Sequence, residues 1–131
     1  KNKNVDTGLG VERVTAILEG YTDNYKSSVW REVIQKIEEI SGLSYENKEY
    51  TRSMRIIADH IRAIVIIAGD DAGIKPSNTD QGYILRRLIR RTIRYAKKLN
   101  IDINSDWEQQ LAELIIKTTF LNTLFCFKLI K

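Results

Sequence analysis

Residues 82–98 read GYILRRLIRRTIRYAKK, and they carry the clearest helical pattern of the chain. At about 100° per residue, the basic side chains fall on one contiguous arc and the apolar side chains on the other. The basic residues, here called the basic stripe, are Arg86, Arg87, Arg90, Arg91, Arg94, Lys97 and Lys98. The apolar face comprises Leu85, Leu88, Ile89, Ile93, Ala96 and Leu99. We predict a helix that packs through one face and meets an anion with the other.

The charge of the whole chain supports this interpretation. Of its 21 Lys and Arg residues, seven lie in the basic stripe, and the remaining 14 are outnumbered by 17 acidic residues. Solvated helix faces usually mix the two signs, whereas Arg86–Arg90 and Arg87–Arg91 are like-charged pairs at i,i+4. A local positive stripe on a nearly neutral body favours a phosphate backbone as partner, with a merely solvated face as the alternative.

Composition limits the other possibilities. A chain of 131 residues fits one domain, or one small domain plus part of another. One cysteine, Cys126, and one histidine, His60, exclude an internal disulfide and leave no plausible zinc cluster. No uncharged apolar run reaches the ~18–20 residues of a membrane span. We expect no metal site, no membrane partner and a cytoplasmic location, with an organelle as the alternative.

Hydrophobic periodicity predicts further helices, so the expected fold class is mostly α. They span about residues 11–19, 28–40, 53–68 and 105–117. The third is apolar on all sides after Ile61, so its second half should be buried. Residues 43–51 are expected to form a loop, and Ser105 and Glu108 a capping box. The last segment, residues 120–131, is aromatic and β-favouring and is unlike the rest of the chain.

Residues 6–13 read DTGLGVER and form a second motif, preceded by a short extended piece. Gly8 and Gly10 let the backbone approach a ligand closely and lead it to a helix N-terminus. Arg13, one turn later, can stack on a base or pair with a phosphate. On this spacing alone, a structural turn is the alternative to a nucleotide site.

Together with three later blocks, this motif resembles the class II aminoacyl-tRNA synthetases, in the form found in the alanyl-tRNA synthetase family. Residues 5–13, VDTGLGVER, are similar to motif 3 of these enzymes. The later blocks follow in the family's order at residues 56–63 (IIADHIRA), 76–78 (PSN) and 82–91 (GYILRRLIRR). The resemblance covers about residues 4–100.

The resemblance implies a domain organisation. Residues 1–20 would be the motif 3 end of the catalytic domain, a strand-turn-helix remnant. Residues 21–131 would be the helical domain that recognises the tRNA acceptor stem, with residues 119–131 as an atypical tail. The chain, which does not begin with Met, would be a piece of a longer enzyme, and the rest of that enzyme would be its partner.

The resemblance also implies roles for individual residues. Gly8, Gly10 and Arg13 would bind ATP, and Asp6 the amino group of alanine. Asn78 would take part in reading a G·U wobble pair of the tRNA acceptor stem, while the basic stripe holds phosphates nearby. ATP and Mg²⁺ would serve the parent enzyme, with neither held tightly by this piece. We assign no catalytic residue.

Several residues have a second interpretation. Asp6 can be a turn former, and Asn78 an N-cap of the helix that starts near Gln81. His60 fits a packed or hydrogen-bonded histidine better than a catalytic base, and Tyr83 fits core packing or stacking on a base. Two positions depart from the family: Gln81 replaces an arginine, and Tyr95 replaces a histidine.

The resemblance therefore implies part of an alanine–tRNA ligase, an enzyme that attaches alanine to its tRNA at the expense of ATP. This piece would supply motif 3 and acceptor-stem recognition and would be inactive alone. A free-standing RNA-binding helical module without catalysis is the alternative. A third possibility is a helical domain whose arginines bind an acidic protein.

Overall fold

A computed structural model describes residues 8–129 of the chain, with side chains up to Thr119. Within this range lie five α-helices: α1 (Val11–Leu18), α2 (Ser28–Ser41), α3 (Lys48–Ala68), α4 (Asp80–Lys98) and α5 (Trp107–Leu129). A 3₁₀ turn at Asn24–Lys26 precedes α2. Residues 8–129 contain no β-strand, so the mostly α class is confirmed. The strand expected near residue 4 lies outside the described residues, and residues 8–10 are irregular.

The chain divides into two compact units, residues 1–32 and 33–131. In the first unit, α1 follows Gly10 directly and buries Ala16. A serine side chain was expected to cap the start of α2. Instead, the Glu19 carboxylate accepts a hydrogen bond from the Ser28 backbone N–H at 2.8 Å. Hydrogen bonds with the Ser28 side chain and, second, with its backbone N–H lower the pKa of Glu19. A distant carboxylate therefore satisfies the helix start. The predicted functional boundary between residues 20 and 21 stays a prediction.

In the second unit, α3 packs against both α4 and α5. The core is apolar, and the side chains that are almost fully inaccessible include Ile37, Met54, Ile57, Leu85, Leu99, Trp107, Leu111 and Ile115. Seven of them lie on α2, α3, α4 and α5, and Leu99 directly follows α4. Among the residues described, no helix is long and apolar enough to cross a membrane.

Helix α3 differs from the prediction at both ends. It begins at Lys48, inside the expected loop, because the Asn47 side chain caps it by accepting from the Glu49 N–H at 3.0 Å. After Ile61 no residue of the helix is fully buried: most are half-buried, and Ile66 is 55% exposed. The polar residues from Lys48 onward therefore start the helix, and the apolar residue Ile66 lies at the surface.

Helix α5 also corrects the prediction. It begins at Trp107, and the Ser105 hydroxyl donates to the Asp102 carbonyl at 2.7 Å, so this hydroxyl is engaged in the preceding turn rather than in a capping box. The helix continues through the expected β-favouring tail as far as Leu129. The side chains of residues 120–131, including Cys126, are outside the described part.

Candidate nucleic-acid interface

Helix α4 separates its charged and apolar faces as the periodicity predicts. All seven residues of the basic stripe are exposed. On the opposite face Leu85, Thr92 and Ala96 are buried, and Leu99 is buried directly after the helix. The packing of this face on α3 fixes the rotation of α4 about its own axis. The basic stripe therefore points to solvent along the whole length of the helix.

The cations of the basic stripe are neutralised by no carboxylate of the described residues. Two tyrosines of the same helix hold some of them instead. The Cζ atom of Arg87 lies 5.7 Å from the ring centroid of Tyr83. The Tyr95 ring has the Nζ of Lys98 at 5.0 Å and the Cζ of Arg91 at 5.8 Å. Cation–π contacts leave the N–H groups available to an anion.

Tyr83 itself belongs to this surface. Tyr83 is 45% exposed and lines a groove with Tyr95 and five arginines of the basic stripe. Interpreting Tyr83 as a core residue is therefore wrong. The groove combines aromatic rings with positive charge, which suits a sugar–phosphate backbone or an unpaired base.

The start of α4 is held by the loop before it. Ser77 donates its backbone N–H to the Gly82 carbonyl at 3.1 Å, and its hydroxyl donates to the Thr79 carbonyl at 2.8 Å. A Cβ atom at Gly82 would collide with the Ser77 side chain and the Lys75 carbonyl. Only glycine lets the loop lie this close to the helix.

This loop presents Asn78 to solvent directly in front of the helix. The residue is exposed, and its Oδ1 accepts a hydrogen bond from Nη1 of Arg86. The N-cap residue is Thr79, so the alternative that Asn78 caps the helix is wrong. The structure instead joins Asn78 to the first arginine of the basic stripe.

A second cleft, of about 400 Å³, lies where the C-terminal end of α4 meets the beginning of α3. Its lining residues are Glu49, Tyr50, Arg52, Ser53, Tyr95 and Lys98. Tyr95 therefore borders both this cleft and the groove along the basic stripe. Sequence reasoning did not single out Arg52, because only the packing of α3 on α4 brings it beside Lys98.

His60 lies half-buried on α3, and its Nε2 is buried with no hydrogen-bond partner among the described residues. Burial lowers the pKa of His60, the positive charge of Arg91 lowers it further, and Asp59 partly opposes the shift. The imidazole is therefore neutral at pH 7.

The glycine motif lies in the first unit. Gly8, Gly10 and Arg13 are all exposed, and Asp6 is outside the described residues. The Arg13 side chain passes beside Gly10, since its Cγ and Cδ lie 3.8–3.9 Å from the place of a Cβ on Gly10. Gly8 has open space around it. The described residues contain no group of three His, Cys, Asp or Glu side chains that could hold a metal ion.

Comparison with known proteins gives this geometry a family. The model of the class II tRNA synthetases (A) matches residues 1–121. The chain belongs to this family. Alanine–tRNA ligase of Borrelia hermsii is 52% identical over 103 residues, which are 78% of this chain and 17% of the relative.

Other family members show the same pattern. Alanine–tRNA ligase of Treponema denticola is 50% identical over 79% of this chain and 18% of its own length. That of Staphylococcus saprophyticus is 38% identical over 87% of this chain and 13% of its own length. The chain thus spans less than a fifth of the length of these curated relatives.

Proposed function

We propose that this chain supplies motif 3 and the acceptor-stem-recognition helices of an alanine–tRNA ligase. The parent enzyme would attach alanine to its tRNA with ATP as energy source. The observation that carries the proposal is the basic stripe of α4, exposed without carboxylate partners, within a chain that belongs to the class II tRNA synthetases. Asp6, Gly8, Gly10 and Arg13 would form the remnant of the catalytic domain in the first unit.

The basic stripe would hold the sugar–phosphate backbone of the acceptor stem. Helix α4 has 19 residues and is about 28 Å long, so its cations can follow a duplex over several base pairs. Phosphate contacts give affinity and orientation without reading sequence. The basic stripe would therefore bind equally strongly to stems that differ in one base pair.

Asn78 would read the G·U wobble pair. Its side chain has an acceptor and a donor, the two groups needed to distinguish base edges. The contact with Arg86 orients the amide, and the loop held at Gly82 fixes its backbone. Arg86 would thus link Asn78, which reads the base pair, to the basic stripe, which binds the phosphates. The positions of Asn78 and Arg86 support this division of labour.

The first unit would contribute to the ATP site. Gly10 and the stem of Arg13 lie together on an exposed surface, which suits a nucleotide packed on backbone with a guanidinium near its phosphates or base. In the parent enzyme Mg²⁺ would neutralise phosphate charge during the reaction. The chain's own part would be to bind and orient ATP through Gly8, Gly10 and Arg13, with Asp6 for alanine.

Two measurements on this chain test the proposal. It should bind an alanine acceptor-stem duplex that carries G·U more tightly than a G·C version, and it should show no alanine-dependent ATP–pyrophosphate exchange. Exchange would contradict the expected inactivity of the chain alone. Failure to bind either duplex would contradict the recognition role, whereas residual ATP binding lost in Arg13→Ala would distinguish the synthetase piece from a free-standing RNA-binding module.

A further inference from the structure

We propose that Arg52 of α3 and Lys98 of α4 form an additional site for an RNA phosphate, with the Tyr95 ring between the cleft and the basic stripe. The site rests on the proposed function and extends it. The backbone of the bound stem would pass Tyr95, reach Lys98 at the end of α4 and continue from there onto Arg52 of α3.

Continuity of the surface is the first support. Tyr95 lines both the groove of the basic stripe and the second cleft. Lys98 and Arg91 both lie over its ring, at 5.0 and 5.8 Å, so the two cations share one aromatic partner. A phosphate that reaches Arg91 therefore meets Lys98 next, and then Arg52 in the same cleft.

Available charge is the second support. Arg52 and Lys98 are exposed, and neither pairs with a carboxylate of the described residues. Tyr50 and Ser53 line the same cleft. The carbonyl end of α4 carries a partial negative charge that opposes a phosphate. Arg52, a cation on α3, offsets this repulsion and so assists the cations of α4 in holding the phosphate.

Glu49 makes the proposal sharply testable, because it lines the same cleft and its negative charge opposes an anion. Two single substitutions should therefore change RNA binding in opposite directions. Arg52→Gln removes a phosphate ligand, and Glu49→Gln removes a repulsive charge. On α5, Lys117→Gln and Glu113→Gln change the net charge by the same amounts away from the cleft and serve as matched controls.

The experiment measures binding of an acceptor-stem RNA duplex to this chain by fluorescence anisotropy over a range of salt concentrations. Arg52→Gln should weaken binding about three- to fivefold, as for loss of one exposed charge contact. It should also reduce the magnitude of the log–log salt slope by about 0.9. Glu49→Gln should tighten binding about twofold, and both controls should leave binding unchanged.

Arg90→Gln, in the basic stripe, separates this inference from the proposed function. If Arg90→Gln weakens binding while Arg52→Gln and Glu49→Gln do not change it, the additional phosphate site is overturned and the proposed function stands. If none of the three changes binding, the proposed function fails as well. An equal effect of Lys117→Gln and Arg52→Gln would reduce the result to net charge and overturn the site. Thermal unfolding followed by circular dichroism verifies that each variant is folded.

Discussion

The two ends of α4 differ in what they present to solvent: a positioned polar side chain at the beginning and exposed cations at the end. At its beginning, the loop lies against Gly82, and Asn78 is held by Arg86, so one polar side chain has a defined place. At its end, Lys98 and Arg91 share the Tyr95 ring and remain exposed. A defined place suits the reading of a base pair, and exposed charge suits a phosphate backbone. Affinity and specificity can therefore be changed separately.

The largest expected effect is at the beginning of the helix. Gly82→Ala places a Cβ where Ser77 and the Lys75 carbonyl lie, so the loop must move. We expect a loss of about 1–3 kcal/mol in the free energy of unfolding, as for other overpacked sites, together with loss of G·U preference. Urea unfolding measures the first and duplex binding the second. Gln81→Ala, at the exposed neighbouring residue, is the control, and equal stability of both variants would contradict the account.

Asn78→Ala should act on specificity alone. We expect the preference for a G·U over a G·C stem to fall about tenfold or more, as for loss of one base contact, with unchanged stability. Arg86→Gln, which keeps Asn78 but removes the residue that orients it, should reduce the same preference less. Competition binding with the two duplexes measures both. If the substitution weakened binding to both stems equally, Asn78 would contribute to phosphate binding and not to reading the base pair.

Neutralising the middle of the basic stripe should act on affinity alone. Arg90→Gln and Arg94→Gln should each weaken binding to the G·U and G·C stems by the same factor. Each should also reduce the magnitude of the salt slope by about 0.9 per lost phosphate contact. Salt titrations with both duplexes check this. A change in the ratio of the two affinities would mean that these arginines also read sequence.

The smallest effect concerns the packing of α3 beneath the basic stripe. The pKa of His60 lies below 6.5 in the folded chain, chiefly because of burial. Between that lowered pKa and 6.5, the unfolded state binds more protons than the folded state, so the free energy of unfolding falls as pH decreases below about 6.5. Urea unfolding at pH 5.5–7.5 should show a smaller decrease for His60→Gln. Identical pH dependence of the two proteins would contradict this.

The sequence predicted α4 well, because its two faces differ at every turn and packing on α3 needs no unusual geometry. It failed for α3, where polarity at residues 48–51 indicated a loop. Helix starts are solvated, so polarity does not separate them from loops, and the Asn47 cap was the signal that could have found the helix. The exposure of Ile66 depends on what packs around α3, which no local pattern contains.

The candidate site was only partly predictable for the same reason. The basic stripe follows from periodicity on one helix, whereas the Arg86–Asn78 contact and the cleft of Arg52 need three-dimensional placement. No local pattern reveals that Lys75 and Ser77 of the preceding loop lie against Gly82. The roles of Gly8, Gly10, Arg13 and Asp6, and the cytoplasmic location, stay predictions.

The most direct test measures binding of the unmodified chain to G·U and G·C acceptor-stem duplexes as a function of salt. With about four phosphates engaged, both duplexes should give log–log slopes of about −3 to −4. The G·U stem should bind more tightly by a factor that stays constant across the titration, because Asn78 contributes no counterion release. Slopes near zero would contradict phosphate binding by the basic stripe. Equal affinity for the two stems at every salt concentration would contradict the reading of the G·U pair by Asn78.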